Sequence, residues 1–203
     1  RKGRHMKDIS LDEDGFLDSL PFNMTKAQNR VWEEIKNDLT SNLPMRRLLQ
    51  GDVGSGKTLI GALAALHAQS NGWQTALLCP TEILAEQHFE SFKGWFDSIG
   101  IRVSLLTGST KTKDRQLITD NLKKGEIDII VGTHAIFQHS IEFKNLGLTV
   151  IDEQHRFGVH QRFSMLEKGG DGSISPHQLI MTATPIPRTL AMTVYGSLET
   201  SII

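Results

Sequence analysis

The stretch Gly51-Asp52-Val53-Gly54-Ser55-Gly56-Lys57-Thr58 decides the fold, because it fits the pattern GxxxxGK[ST]. The apolar pair Leu48-Leu49 precedes it, and residues 59–66 after it are apolar nearly all round. A buried strand, a glycine-rich turn and a buried helix in this order predict a loop whose backbone amides hold phosphate oxygens. Lys57 is then expected to reach the β- and γ-phosphates, and Thr58 to offer its hydroxyl to Mg²⁺. A glycine-rich turn without a ligand would leave Lys57 and Thr58 unexplained.

Helical and strand-like segments alternate on both sides of this loop. Long apolar runs suit parallel strands that are covered on both faces, and the helical spacers are long enough for crossovers. We therefore predict a single doubly wound α/β domain with a mostly parallel sheet. The predicted helices lie near 25–39, 57–70, 82–96 and 112–124, and the predicted strands are Arg47–Gln50, Thr75–Cys79, Val103–Leu106, Ile127–Val131, Leu148–Ile151 and Leu179–Thr182.

The N-terminal segment lacks this rhythm. Residues 1–6 are basic and end in a His-Met pair that is typical of an expression-vector remnant. The acidic stretch Asp8–Asp18 predicts a linker with little to bury, although Leu17, Leu20 and Phe22 are candidates to dock on the domain. We expect residues 1–20 to be a tag remnant and flexible linker, and residues 21–203 to form the domain.

Composition narrows the class of protein further. The 203 residues carry a formal net charge of -1, so contact with nucleic acid would have to be local or use backbone amides. The single cysteine, Cys79, fits a reducing cytoplasm and predicts a small buried side chain. The eight histidines lack metal-site spacing, and no apolar stretch approaches the ~20 residues of a membrane span. We expect a soluble protein without a structural metal.

A second strand-like run ends in two carboxylates, Asp152 and Glu153. Open α/β sheets place their ligands at the carboxyl ends of strands, so these side chains are candidates for the same site. We predict that Asp152 holds Mg²⁺ and that Glu153 polarises the attacking water. Up to this point the residues fit any nucleoside triphosphatase, including a kinase or a switch GTPase.

Six further motifs occur along the chain: Phe22–Gln28, Pro80-Thr81-Glu82, Thr107-Gly108-Ser109, Val131-Gly132-Thr133-His134, Asp152-Glu153-Gln154-His155 and Thr182-Ala183-Thr184-Pro185-Ile186-Pro187-Arg188-Thr189. Together they resemble the first RecA-like domain of superfamily two helicases and translocases. The resemblance spans roughly residues 20–203, and within the superfamily the longer strings are most similar to the RecG family of bacterial branched-DNA translocases. Transcription-repair coupling factors are the nearest alternative, but Ser55 and Gln154 favour the RecG family.

The resemblance implies ATP and Mg²⁺ as cofactors and assigns a role to each motif. Lys57, Asp152, Glu153 and His155 would be catalytic, and Gln154, Thr182, Ala183 and Thr184 would couple the nucleotide to movement. Phe22 and Gln28 would contact adenine, but Thr25 to Gln28 is also a capping box that competes for the same amide. Pro80, Thr81, Thr107, Gly108 and Thr133 would grip the DNA backbone, although each threonine is equally an ordinary helix cap. Roles for Arg156, Arg162 and Arg188 stay open.

The implied activity is ATP-driven movement along duplex DNA with remodelling of stalled forks and Holliday junctions. The family keeps its arginine finger in a second RecA-like domain and splits branched DNA with an N-terminal wedge, and we expect neither within these 203 residues. The chain should then bind ATP but hydrolyse it slowly, act as a monomer in the bacterial cytoplasm and bind DNA without sequence preference. The alternative function is a nucleotide-dependent binding module of a coupling factor.

Overall fold

The computed structural model describes residues 2–3, 6, 10–153, 174–183 and 198–203. In these residues a seven-stranded sheet is the centre of the fold, and every pairing in it is parallel. The strands are β1 (Lys2–Gly3), β2 (Arg46–Gln50), β3 (Gln74–Leu78), β4 (Val103–Leu106), β5 (Ile129–Gly132), β6 (Leu146–Asp152), β7 (Ile174–Ser175), β8 (His177–Thr182) and β9 (Glu199–Ile202). The large sheet has the order β4-β5-β3-β6-β8-β2-β9, and β1 and β7 form a separate parallel pair.

Five α-helices accompany the sheet in the described residues: α1 (Ser10–Asp18), α2 (Lys26–Leu39), α3 (Lys57–Ser70), α4 (Glu82–Phe96) and α5 (Thr112–Lys124). The four predicted helices are confirmed to within about a residue, and the six predicted strands to within about two. A doubly wound α/β fold is therefore confirmed. β9 was not predicted, because three of its four residues are polar and only Ser201 of the strand is buried.

The two faces of the sheet are covered by different helices. Alternate strand residues such as Leu49, Leu77 and Val150 belong to one hydrophobic cluster with α1 to α4, and their neighbours Leu48 and Leu78 belong to a second cluster with Leu122 of α5. α3 is buried almost continuously from Leu59 to Ala68, as its apolar sequence predicted. The parallel strands are thus buried on both faces, which explains their continuous apolar runs.

The N-terminal segment differs from the flexible linker that the sequence predicted. Residues 10–18 form α1, and Phe16 is buried with its ring 5.3 Å from that of Phe96. Glu13 accepts hydrogen bonds from Trp32 Nε1 at 2.6 Å and from Lys36 Nζ at 3.2 Å. The linker prediction is wrong for these residues, because one aromatic ring and one paired carboxylate are enough to dock an otherwise acidic segment.

Part of residues 1–6, which we expected to be an expression-vector remnant, also belongs to the fold. Lys2–Gly3 pairs with Ile174–Ser175, and Met6 is buried with its amide donating to the Leu39 carbonyl at 3.2 Å. A single buried methionine among polar neighbours has no periodic pattern, so its burial could not be predicted.

A buried ion cluster holds β9 against β2 and α2. Arg47 donates to Asp38 Oδ2 at 2.7 Å and to Ser201 Oγ at 2.9 Å, and Ser201 donates in turn to Glu34. Arg47 is buried at the start of the strand that leads into the glycine-rich loop, where an unpaired guanidinium would be costly. The cluster satisfies this charge and attaches an edge strand that has few apolar contacts of its own.

Cys79 is fully buried directly after β3, as expected, and burial raises the pKa of its thiol well above the ordinary range. Among the described residues no helix is both long and apolar enough to cross a membrane.

Candidate nucleotide site and nucleic-acid edge

The glycine-rich loop connects β2 to α3 and lies at the carboxyl edge of the parallel sheet. Gly54 and Gly56 have φ angles of 84° and 92°, a left-handed region that only glycine adopts without strain. A side chain at Gly56 would also collide with the amide of Gln28, and one at Gly51 with Ile203 and Ser55. Gly54 and Gly56 are therefore required by the backbone that exposes the N-terminus of α3 to a ligand, and Gly51 by the side chains packed against it.

Lys57 is the first residue of α3 and its side chain folds back over the loop. Its Nζ donates to the carbonyl oxygen of Gly51 and, at 3.1 Å, to that of Asp52. Burial lowers the pKa of Lys57 below its ordinary value, while the nearby carboxylates of Asp152 and Asp52 act in the opposite direction. The ammonium group is thus placed at the loop that the sequence assigned to phosphate, and it lies close enough to Asp152 to feel its charge.

Gln28 performs the capping role that the sequence left in competition with adenine contact. Thr25 N donates to Gln28 Oε1 at 2.9 Å, and Gln28 N donates to Thr25 Oγ1 at 3.1 Å, which completes the capping box. The other end of the amide, Nε2, donates at 3.0 Å to the carbonyl oxygen of Ser55 in the glycine-rich loop. Oε1 has a second lone pair and Nε2 a second hydrogen, so adenine contact stays a prediction.

Asp152 ends β6 and Glu153 follows it, and both are buried at the same edge of the sheet. Asp152 Oδ2 lies 2.6 Å from Nε2 of His88, which projects from α4. His88 was not among the predicted site residues, although a signal existed: it is a polar residue on the apolar stripe formed by Ala85, Phe92 and Phe96. The Glu153 amide donates to the Met181 carbonyl of β8 at 2.9 Å, which fixes the backbone at this strand end.

Thr182, the first residue of the Thr182-Ala183-Thr184 motif predicted to couple the nucleotide to movement, lies at the end of β8, the strand next to β6. Thr182 is the last residue of β8 and is buried, and its carbonyl accepts a hydrogen bond of 3.1 Å from Gly51 N. The backbone of this motif is thereby bonded directly to the first residue of the phosphate loop. Ala183 follows Thr182, and Gln154, His155 and Thr184 lie outside the described residues, as do Arg156, Arg162 and Arg188.

These elements enclose a cavity of about 460 Å³ at the sheet edge. Trp95, from the last turn of α4, contributes to its wall and was not a predicted site residue. The cavity unites the phosphate loop, the Asp152 carboxylate and the predicted adenine contacts in one space of a size suited to a nucleotide. The lining residues are Phe22, Gln28, Asp52, Val53, Gly54, Gly56, Lys57, Thr58, Leu59, His88, Trp95, Asp152 and Met181.

The donor set in this cavity fits Mg²⁺. Thr58 supplies a hydroxyl and Asp152 a carboxylate, and hard oxygen ligands of this kind suit a magnesium ion that keeps its remaining positions for phosphates and water. No cluster of three or more His, Cys, Asp or Glu side chains occurs among residues the structure describes. A cation shared with a nucleotide needs only one or two protein carboxylates.

The predicted nucleic-acid edge begins at Thr81, which is exposed and caps α4 by accepting from Leu84 N at 3.2 Å. The next residue, Glu82, accepts from Ser109 N at 3.0 Å and from Ser109 Oγ at 2.5 Å. The Glu82 carboxylate therefore joins the Pro80-Thr81-Glu82 motif to the Thr107-Gly108-Ser109 motif. Their order along the sequence did not predict this contact. Pro80 directly precedes Thr81 and is half-buried.

The other predicted DNA contacts differ in their exposure. Gly108 is exposed, and the Thr107 hydroxyl is buried and accepts from Ser109 N at 3.3 Å. Thr133 is only 2% exposed, and its hydroxyl is enclosed without a hydrogen-bond partner in the described structure. A phosphate contact by the Thr133 side chain stays a prediction, and it would require this enclosed hydroxyl to become accessible.

Comparison with known proteins identifies relatives of the whole chain. It is 60% identical over 188 residues to the ATP-dependent DNA helicase RecG of Pasteurella multocida, and 54% identical over 188 residues to that of Bacillus subtilis. Each match covers 93% of this chain and 27% of the relative. The chain thus spans about a quarter of the length of these helicases.

Solved structures agree with the sequence comparisons. A structure of RecG bound to a three-way DNA junction matches 99% of this chain and 26% of that one, with a TM-score of 0.86 and 44% identity. The DUF1998 helicase MrfA bound to DNA shares the fold, with a TM-score of 0.73 at 22% identity over 100% of this chain and 31% of that one. The family description "DEAD/DEAH box helicase" matches residues 25–193. This chain therefore belongs to the DEAD/DEAH box helicase family, and its fold is the RecA-like phosphate-loop domain.

Proposed function

We propose that this chain is the ATP-binding domain of a RecG-like DNA helicase or translocase, which couples ATP hydrolysis to movement on duplex DNA. The observation that carries the proposal is the single cavity that contains Lys57, Thr58 and Asp152. These three side chains are what phosphate-loop enzymes need to hold a nucleoside triphosphate with its cation. High identity to RecG helicases supports this function over the coupling-factor alternative.

In this proposal Lys57 leaves the carbonyls of Gly51 and Asp52 and binds the β- and γ-phosphates. Thr58 and Asp152 would hold Mg²⁺, which would supply positive charge to offset that of the phosphates. Glu153, buried at the end of β6, polarises the attacking water as a general base. His155, Gln154 and Thr184 would complete the γ-phosphate side and its coupling to Thr182 and Ala183.

Binding of a fluorescent ATP analogue tests the nucleotide part. Lys57→Ala should weaken binding by at least about tenfold, because a charged hydrogen bond to phosphate is worth about 1.5–3 kcal/mol. Thermal unfolding measured by circular dichroism should show that the variant stays folded. Unchanged affinity in a folded variant would contradict the assignment of the loop.

We further propose that DNA lies across the edge formed by Pro80, Thr81, Thr107 and Gly108, where hydroxyl groups and backbone amides bind phosphates without a basic surface. The similar RecG structure is bound to a three-way DNA junction, which supports branched DNA as the substrate and fork or Holliday-junction remodelling in repair and recombination as the role. In the full-length protein a second RecA-like domain and a wedge domain would take part in ATP hydrolysis and DNA remodelling. The site of action would be the bacterial cytoplasm.

A charge substitution that preserves the helix cap tests the DNA edge. Asp caps helices as well as Thr does, so Thr81→Asp should keep α4 stable while its negative charge repels phosphate. Fluorescence anisotropy with forked and linear duplexes should show weaker binding by this variant and a steep decline with salt for the unmodified chain. Thr25→Asp is the matched control, because Thr25 is an exposed N-cap on α2. Equal losses in both variants would exclude a specific role for Thr81.

A further inference from the structure

His88 is a buried polar residue that pairs with the carboxylate of Asp152. Its Nε2 lies 2.6 Å from Asp152 Oδ2, and the two residues are 64 positions apart in the chain. The side chains are 11% and 6% exposed, so water competes little for this contact. Both residues line the cavity that holds the phosphate loop.

Packing alone does not account for a histidine at this position. Ala85, Phe92 and Phe96 on the same helix fill the core, and an apolar side chain at position 88 would continue their stripe without any cost of desolvation. A histidine there must have a hydrogen-bond partner, and the partner is one oxygen of a carboxylate that the site needs for its cation. The hydrogen bond from His88 therefore acts on the Asp152 carboxylate and is not needed to pack the core.

The geometry gives His88 a definite effect on Asp152. An ionised carboxylate only accepts hydrogen bonds, so Nε2 of His88 donates the proton, and the bond restricts rotation of the carboxylate about its own axis. The second oxygen, Oδ1, makes no hydrogen bond in the described part of the chain and stays available to a cation. Groups that orient a metal-binding carboxylate in this way typically change metal affinity by about 10–100-fold when removed.

We propose that His88 is a positioning residue that holds the Asp152 carboxylate in the orientation required by the Mg²⁺ of the bound nucleotide. The inference rests on the proposed function, because it concerns the same cavity. It adds a residue outside the phosphate loop and outside β6, contributed by the helix that begins at Thr81. His88 thus connects the element that carries the proposed DNA contact with the cation side of the nucleotide site.

The test measures how much Mg²⁺ strengthens binding of mant-ADP to the 203-residue chain, by titration in Mg²⁺ and in EDTA. His88→Phe fills the space but cannot donate, so at least about tenfold of the Mg²⁺-dependent gain should disappear while affinity in EDTA stays the same. His88→Gln retains an N–H donor and should recover most of the gain. Phe92→Leu is the control for packing on the same helix: it should lower the melting temperature without changing the Mg²⁺ gain.

The outcomes separate the two proposals. An unchanged Mg²⁺ gain in folded His88→Phe would overturn the role of His88 and leave the nucleotide site intact. Failure of the unmodified chain to bind mant-ADP would overturn the proposed function, and the role of His88 with it. Should the phenylalanine variant not fold, His88→Met takes its place, because the flexible methionine fills irregular space and equally lacks a donor.

Discussion

The side-chain amide of Gln28 on α2 donates from Nε2 to the carbonyl oxygen of Ser55, so the helix cap and the phosphate loop share one glutamine. Its other end, Oε1, accepts from the Thr25 amide at 2.9 Å. The same side chain also fills the space that a Cβ at Gly56 would need. The conformation of the loop and the start of α2 are therefore linked.

Two substitutions of Gln28 should separate these contacts. Gln28→Ala removes the cap and the loop contact, so it should lower stability by about 0.5–2 kcal/mol and weaken ATP binding. Gln28→Glu keeps an acceptor for Thr25 but cannot donate to Ser55, so it should spare stability and still weaken binding by about two- to tenfold. Thermal unfolding and fluorescent-nucleotide titration measure both effects.

Comparison of ATP with GTP then tests adenine contact by Gln28. A loss for both nucleotides in Gln28→Glu would indicate that the residue only holds the loop. A loss confined to ATP would indicate direct recognition of adenine. Wild-type affinity for both would contradict any role beyond capping.

Trp95 should report nucleotide binding through its fluorescence. It lines the cavity from the last turn of α4, whereas Trp73 directly precedes β3 at the opposite end of the sheet and Trp32 is buried in α2. ATP should change the intrinsic emission, Trp95→Phe should abolish that change, and Trp73→Phe should retain it. A response that survives Trp95→Phe would place the nucleotide away from this wall.

Phe16→Ala tests whether α1 is part of the domain. The ring is 1% exposed and packs against Phe96, so its removal should cost about 3–5 kcal/mol of unfolding free energy. Deletion of residues 1–20 should destabilise the protein similarly, because it uncovers Phe96 and removes the partner of Trp32. Denaturant titration measures both, and Phe22→Ala, at a 46% exposed aromatic residue, is the control. An unaffected midpoint would restore the linker interpretation.

The 203-residue chain should bind ATP yet hydrolyse it very slowly. Its family resemblance assigns the arginine finger to a second RecA-like domain, and such residues contribute about 10³–10⁵ in rate where measured. A phosphate-release assay with and without DNA checks this expectation. Rapid turnover stimulated by DNA would show that these 203 residues complete the catalytic site by themselves.

The sequence predicted those parts of the structure that depend on local pattern. The helix from Lys57 and the strand ending at Asp152 follow from apolar runs and a loop motif, because burial on both faces of a parallel sheet leaves a clear signature. α1 gave no such signature, since Phe16 stands among acidic residues and its burial depends on Phe96, far along the chain. Local periodicity cannot reveal a contact of that kind.

The site was predictable to the extent that each residue acts through its own motif. Lys57 and Asp152 were predicted from loop and strand-end patterns and line one cavity in the structure. His88 and Trp95 were missed because their roles arise where α4 crosses the ends of other elements. Thr133 was predicted from its strand-end motif to contact the DNA backbone, and its burial directly after β5 could not be read from that motif.

Helix α4 meets the proposed DNA edge at Thr81, the Asp152 carboxylate at His88 and the cavity wall at Trp95. With a rise of about 1.5 Å per residue, these points span roughly 21 Å along one continuous helix. A rigid helix of this length moves as one body. A small translation or tilt of α4 would therefore change the proposed DNA contact and the geometry of the nucleotide site at the same time. Coordination between the DNA contact and the nucleotide site then requires no relay of side chains, because both depend on the position of the same helix.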